Sequence, residues 1–266
     1  IDLIEEVGRI HGFDQIPIEE AIEVKVPASG GEADGRQAVL NSLAGMGFVE
    51  CITHSLISTD AAEPFLLDGQ SPVLIDGERA VAEPALRPSI LPSLLTVRKH
   101  NADNGVKQLR LAELGSVFAL QGNEHIELTE LAIVMDAGDD EGIGAIRGVV
   151  NQVCTVVSAS TEITVSPEEN VNWLEPSGVV SVNGTVVGKI GRLSGTLQKK
   201  WDLPTTIHVA QLHLGDLLTQ FPPDVQSTSL PKQPAIERDI TIIVDENVLW
   251  SDLCNGVNTL NAANLE

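Results

Sequence analysis

Asn183-Gly184, set between the β-branched runs of VVSVNGTVVGKIG (Val179–Gly191), commits this stretch to an antiparallel hairpin. A two-residue turn of type I′, which matches the right-handed twist of its strands, needs positive φ at both central positions, and Asn-Gly supplies it at least cost. Strands with interspersed helices and hairpins, of which this is the clearest, favour an α+β domain around a mostly antiparallel sheet over a strict βαβ alternation. The glycines do not make a phosphate loop. Gly184, Gly188 and Gly191 lie in strand and turn sequence, with no GK[ST] and no helix start.

Periodicity places further elements on both sides. Asp2 caps a short helix with Leu3, Val7 and Ile10 on one face, ended by Gly12. AIEVKV (Ala21–Val26) alternates as a strand, and PASGGE (Pro27–Glu32) reads as a linker with a domain boundary nearby. Asp34 caps a helix that puts Val39, Leu40, Leu43 and Ala44 on one face and stops at Gly47, and FVECITHSLI (Phe48–Ile57) follows as one long strand. Ser89 caps a helix carrying Leu91, Leu94, Leu95 and Arg98 at helical spacing. LRLAELGSVFALQG (Leu109–Gly122) reads as two strands with a turn at Gly115-Ser116, and Leu131–Met135 as another strand. DAGDDEG (Asp136–Gly142) is expected to be a solvated acidic loop, followed by an amphipathic helix through Ile143, Ile146, Val150, Val153 and Val157. IHVAQLHL (Ile207–Leu214) is a strand leading to a short helix that ends at Phe221. The proline-rich segment Phe221–Glu237 is a connector. RDITIIVDEN (Arg238–Asn247) then reads as a strand, and Ser251 caps a last helix through Leu253, Val257 and Leu260. The helix at the first residue and the strand-plus-helix stop suggest a piece of a longer protein.

Charge narrows the function classes. Sixteen Lys+Arg against 38 Asp+Glu give a net charge of −22 over 266 residues. A surface this acidic repels phosphates and opposes a broad nucleic-acid face, although local basic spots could touch RNA. Charges interrupt every apolar run before the roughly 18 residues of a membrane helix, and the acidic opening IDLIEEVGRIHGF is no signal peptide. A cytoplasmic protein is expected. Cys51, Cys154 and Cys254 form no CxxC pair and read as reduced, packed thiols. The six histidines form no HExxH, and His208 and His213 fall on opposite faces of one strand. No metal site is expected.

Four segments, in order, resemble the β subunit of bacterial phenylalanyl-tRNA synthetase. DLIEEVGRIHGFDQIP (Asp2–Pro17) resembles the closing helix of the family's small domain. LRPSILPSLL (Leu86–Leu95) resembles its LRxSLLPGLL helix entry, and LAELGSVF (Leu111–Phe118) its FEIGxVF strand. LPKQPAIERDITIIVDENV (Leu230–Val248) resembles its FPxxxRDIxxxV opening of the anticodon-binding domain. Among the departures, a glutamate common in the family stands here as Gln211.

The resemblance implies an α+β fold, a class II synthetase-like antiparallel sheet flanked by helices, with partial flanking domains at both ends. It implies residues 1–20 as the end of the preceding small domain and 21–225 as a catalytic-like module. Residues 226–266 would be a linker and the truncated start of a ferredoxin-like anticodon-binding domain. It implies a scaffold without catalytic, cofactor-binding or metal residues. ATP and magnesium would be used by an α subunit that joins β in an α2β2 heterotetramer to attach phenylalanine to tRNA, and no membrane would be involved. The α-facing surface would lie on the helix and strand within Gly35–Ile57, at Leu40, Leu43, Val49 and Cys51. Active class II members carry an arginine that clamps the ATP α-phosphate after the strand matching Ser116–Phe118, where this chain has Ala119-Leu120-Gln121. Arginine suits that task because its planar fork holds phosphate oxygens bidentately. Glu113 reads either as an acid in search of a partner or as a structural acceptor of an arginine or backbone hydrogen bond. Arg238-Asp239 reads as an anchor for the connector or as a tRNA contact. A free-standing ATP-dependent amino-acid ligase with a diverged pocket, and an RNA-binding module, are the competing functions.

Overall fold

The structure is a computed structural model that describes residues 1–18, 21, 24–25, 31–76, 82–158, 163–169, 171–219, 221–223, 239–245, 248 and 250–260. The chain divides into Ile1–Val225 and Gln226–Glu266. The first part opens with α1 (Asp2–His11), α2 (Gly31–Gly45), β1 (Val49–Glu50), β2 (Leu56–Ile57), α3 (Thr59–Ala62), β3 (Gln70–Ser71) and β4 (Ala85–Leu86). It continues through α4 (Leu91–Asp103), β5 (Arg110–Gln121), β6 (Glu124–Asp136), α5 (Asp139–Val157), β7 (Ile163–Glu168), β8 (Leu174–Val182) and β9 (Thr185–Leu193). It closes with α6 (Gly195–Lys200), β10 (Ile207–His213) and α7 (Gly215–Leu218). The second part contains α8 (Trp250–Thr259).

Asn183 and Gly184 take φ of 51° and 77° and join β8 to β9 as their sequence requires. That hairpin is one end of a sheet ordered β1-β5-β6-β10-β9-β8-β7, with β3 also paired to β5. All pairings are antiparallel except β1 with β5. β2 and β4 form a separate two-stranded sheet.

Helices cover both faces of the large sheet. Ala112, Leu131, Ile133, Met135, Ile190, Ala210 and Leu212 pack on one face against Val39 and Leu43 of α2 and Ile146, Val150 and Val153 of α5. Leu111, Val117, Ala132, Val134, Ile207 and Val209 pack on the other against Ile90, Leu91, Leu94 and Leu95 at the start of α4, with Phe65 and Trp173. Because β6 is covered twice, its Leu131–Met135 run is apolar without alternation. His208 points to the α5 side, and its ring fills the space where a Cβ on Gly142 would sit.

Several expectations are corrected. Leu109–Gly122 is not a hairpin: Arg110–Gln121 is one strand, and the turn comes at Gly122, with φ of 62°. Gly115 is held extended by its pairing with Glu130 in the ladder, and its lack of a side chain leaves room for the guanidinium of Arg87, whose Nη2 an added Cβ would approach to 2.7 Å. Phe48–Ile57 is not one strand. After β1, Cys51 N still donates to Ala112 O, but Thr53 N turns to the Glu113 carboxylate and the ladder ends. α2 begins at Gly31 rather than at an Asp34 cap. Its buried stripe is Gly35, Val39 and Leu43, because Gly35 lies against Phe221 and Leu218, which turns Ala44 to solvent. Asp136 is no solvated loop residue. Its side chain, 3% exposed, closes β6 in an ion pair with Arg98, and α5 starts three residues later. Asp239–Asp245 carries no strand, and α8 begins one residue before Ser251. Of the expected strand Ala21–Val26, the described residues Ala21, Val24 and Lys25 carry none, and the others lie outside the described residues.

Candidate functional site

Two arrangements could carry function: a buried carboxylate cluster where α4 meets β5 and β6, and the face formed by α2 and β1. The cluster follows from strand alternation. Glu113 and Glu130 occupy the α4 side of neighbouring strands, and Gly115, opposite Glu130, leaves room for Arg87. Arg87, 4% exposed, donates from Nη1 to Glu113 Oε1 at 2.7 Å and to Thr53 Oγ1 at 2.9 Å, and from Nε to Ser116 O at 3.1 Å. Thr53 Oγ1 in turn donates to Glu113 Oε2 at 2.7 Å. Glu113 is therefore a structural acceptor that ties the segment after β1 to β5.

Glu130 is fully buried. Its Oε1 accepts from Ile90 N at 2.7 Å and Ser89 Oγ at 2.9 Å, and its Oε2 from Gln211 Nε2 at 2.7 Å. Ser89 Oγ also accepts from Leu91 N, but Ser89 is not the expected cap: the N-cap of α4 is Ile90, which makes no side-chain cap bond, and its backbone N–H is met instead by the Glu130 carboxylate. Burial pushes the Glu130 carboxyl from its ordinary 4.5 up to about 7, against the opposing pull of Gln211, Ile90, Ser89 and Arg87. Between those pH values the folded chain holds a proton that the unfolded chain has lost. Stability from this group therefore falls as pH rises from about 4.5 to about 7 and is level above. The drop is on the order of 3 kcal/mol at 1.36 kcal/mol per pH unit. In urea titrations from pH 5 to 8, Glu130→Gln should gain on the parent chain by that order. A pH-independent difference between the two would refute it.

On the second face the expected partner residues divide. Leu43 is 2% exposed and belongs to the core. Leu40 and Cys51 are half-buried, while Val49 is 54% exposed and Ile52 beside it 92%. Leu40, Asn41, Ala44, Phe48 and Glu50 line a groove of about 80 Å³. Burial first, then the charges of Glu113 and Glu50, push the Cys51 thiol up, which keeps it protonated and unreactive. Asp239 is exposed, and Arg238 lies outside the described residues. A cleft of about 420 Å³ between Gly47, Arg110, Asp136 and Glu141 opens at the end of β6.

A family model described as "Phenylalanyl tRNA synthetase beta chain CLM domain" matches residues 21–214. The chain belongs to the phenylalanyl-tRNA synthetase β chain family. It is 30% identical to the phenylalanine–tRNA ligase β subunit of Geobacillus kaustophilus over 93% of this chain and 32% of that one. With the β subunit of Bacillus licheniformis it shares 29% over 97% and 34%. The chain thus spans about a third of the length of these curated relatives. In fold it is similar to two solved structures of pyrrolysyl-tRNA synthetase from Desulfitobacterium hafniense. Both superpose with a TM-score of 0.59, at 18% and 19% identity, over 71% and 70% of this chain and 65% and 68% of theirs. The mixed sheet flanked by helices is the class II synthetase architecture.

Within this phenylalanyl-tRNA synthetase β chain module, Ala119 follows Val117-Phe118 on the α4 side of β5 and is 5% exposed. Arg87 and Arg98 are held in buried ion pairs, and Arg192 donates from Nε to Glu175 O at 2.8 Å. Among the described residues no group of three or more His, Cys, Asp or Glu could hold a metal ion, and no helix is long and apolar enough to cross a membrane. Sequence reasoning passed over Glu130 and Thr53 and placed Asp136 in a solvated loop. The one available signal was Glu130 itself, a lone acid at the head of the unbroken apolar run Leu131–Met135.

Proposed function

We propose that this chain serves a phenylalanine–tRNA ligase as a non-catalytic scaffold that holds an α subunit in an α2β2 assembly in the cytoplasm. The α subunit uses ATP and magnesium to join phenylalanine to its tRNA. The observation that carries this reading is the chemistry of the α4 side of the sheet. Adenylate formation needs cations preorganised opposite developing phosphate charge. By the resemblance, Ala119-Leu120-Gln121 follow the strand after which an active class II member has its clamping arginine, and Arg87 is occupied by Glu113 beneath α4. A net charge of −22 further disfavours a triphosphate.

The α2–β1 face is the proposed contact with the α subunit, because Val49 and Ile52 expose apolar surface that the core does not use. Val49→Lys should leave the fold intact, since the side chain is 54% exposed. It should weaken α-subunit binding about 100-fold or more, because a buried unpaired charge costs roughly 3–5 kcal/mol. Titration calorimetry with purified α subunit measures this, and undiminished binding by a folded variant would remove the assignment. Phenylalanine-dependent pyrophosphate exchange by the chain free of α subunit would instead favour a free-standing ATP-dependent amino-acid ligase.

A further inference from the structure

Two buried carboxylates, Glu113 and Glu130, lie near one guanidinium. Arg87 spends its Nη1 on Glu113 at 2.7 Å, while the three groups bonded to Glu130 are uncharged. With both acids ionised, the cluster holds one uncompensated negative charge away from water, a costly state; one proton removes it. The surrounding ionisable groups do not change that balance. His213 lies directly across from Glu130 in β10, and burial holds its pKa below the usual histidine range, so it stays neutral. Lys189 of β9 is in register with Gln211 but is paired with Glu168 at 2.9 Å. The first turn of α4 brings only Leu91, Pro92 and Ser93.

We propose that Glu130 and Gln211 form a proton-operated amide switch. With Glu130 ionised, Gln211 donates from Nε2 to Oε2. When Oε2 takes a proton from water, the amide turns over and Oε2–H donates to Gln211 Oε1. No bond between heavy atoms changes. Ser89 and Ile90 keep their acceptor, because Oε1 remains a carbonyl oxygen in both states, so α4 stays anchored. The turnover points the amide NH2 away from Glu130, and Gln211 is itself only half-buried. A primary amide is suited to this position because it carries both a donor and an acceptor and can pair with either protonation state. A glutamate at 211 would set a further carboxylate against the first. Burial of Glu130, which brings its titration to about 7, makes both states accessible near neutral pH.

The test is a pH titration from 5 to 9 of chain labelled with 13C at Glu Cδ and 15N at Gln Nε2. Glu130 Cδ and Gln211 Nε2 should move together with one midpoint near 7, and Glu130→Gln should leave the Gln211 signal independent of pH. Gln211→Leu, which keeps an apolar stem on β10, removes the partner of both protonation states, so the Glu130 midpoint should rise by less than about one pH unit, whereas loss of a fixed donor to the ionised oxygen alone would raise it by about one unit or more. That variant decides the matter if Glu130→Gln fails to fold. A Glu130 midpoint below 5, a Gln211 signal that ignores the Glu130 titration, or a midpoint raised by more than about one pH unit in Gln211→Leu would each overturn the switch.

Discussion

Arg98→Ala is expected to lower stability by about 3–5 kcal/mol, because it strands a buried carboxylate. Asp136 accepts from Arg98 Nε at 2.8 Å and Nη2 at 2.9 Å, from Leu109 N at 2.7 Å, and from the Thr205 hydroxyl. Arg98 Nη2 also reaches Lys107 O at 3.2 Å. One fully buried guanidinium therefore joins α4, the segment entering β5 and the end of β6. Adding Asp136→Asn to Arg98→Ala should recover part of the loss, since a neutral amide oxygen still accepts from Leu109 N. Equilibrium urea unfolding of the two single variants and the double variant measures the coupling, and losses that simply add would contradict this account.

Gly188→Val should be at least as damaging. Gly188 faces Leu212 across the β9–β10 ladder, and a Cβ there would stand 2.0 Å from Gln211 O and 2.8 Å from Leu212 Cα. Both are main-chain atoms, so no rotamer change relieves the clash and the strands must part. The cost should exceed the roughly 1–3 kcal/mol of ordinary overpacking. Gly184→Ala is the control. At a φ of 77° with open space around its Cβ, it should lose only about 1–2 kcal/mol through backbone strain. Melting temperatures that rank the two variants in the reverse order would sink the argument.

Sequence alone revealed features decided locally. Asn183-Gly184 carries its turn in its own φ preferences, and the spacing of Ile146, Val150 and Val153 suffices to bury α5. What escaped was decided across distance. Gly115 looks like a turn residue until it is found paired with Glu130 in the ladder, leaving room for Arg87. Asp136 looks like the first residue of an acidic loop until Arg98 reaches it from α4. The extended run after Phe48 breaks because Glu113, on another strand, offers a better acceptor to Thr53 N than the ladder does. Glu130 is the plainest case, since its partners Ser89, Ile90 and Gln211 come from two segments on opposite sides of it in the chain. The fold was legible because a four-segment resemblance spans it, whereas the buried polar cluster required coordinates.

β10 is the seam of the sheet. β1, β5 and β6 lie on one side of it and β9, β8 and β7 on the other, and it follows all six in the chain. A ribosome adding roughly 5–20 residues per second therefore delivers two partial sheets before the strip that unites them. In that interval β6 and β9 each present an open edge, and the β6 edge carries the apolar run Leu131–Met135. Such edges invite pairing with other nascent chains. Vulnerability to aggregation during synthesis is thus concentrated in the time between the emergence of Asp136 and that of His213, and slow codons in that stretch lengthen it.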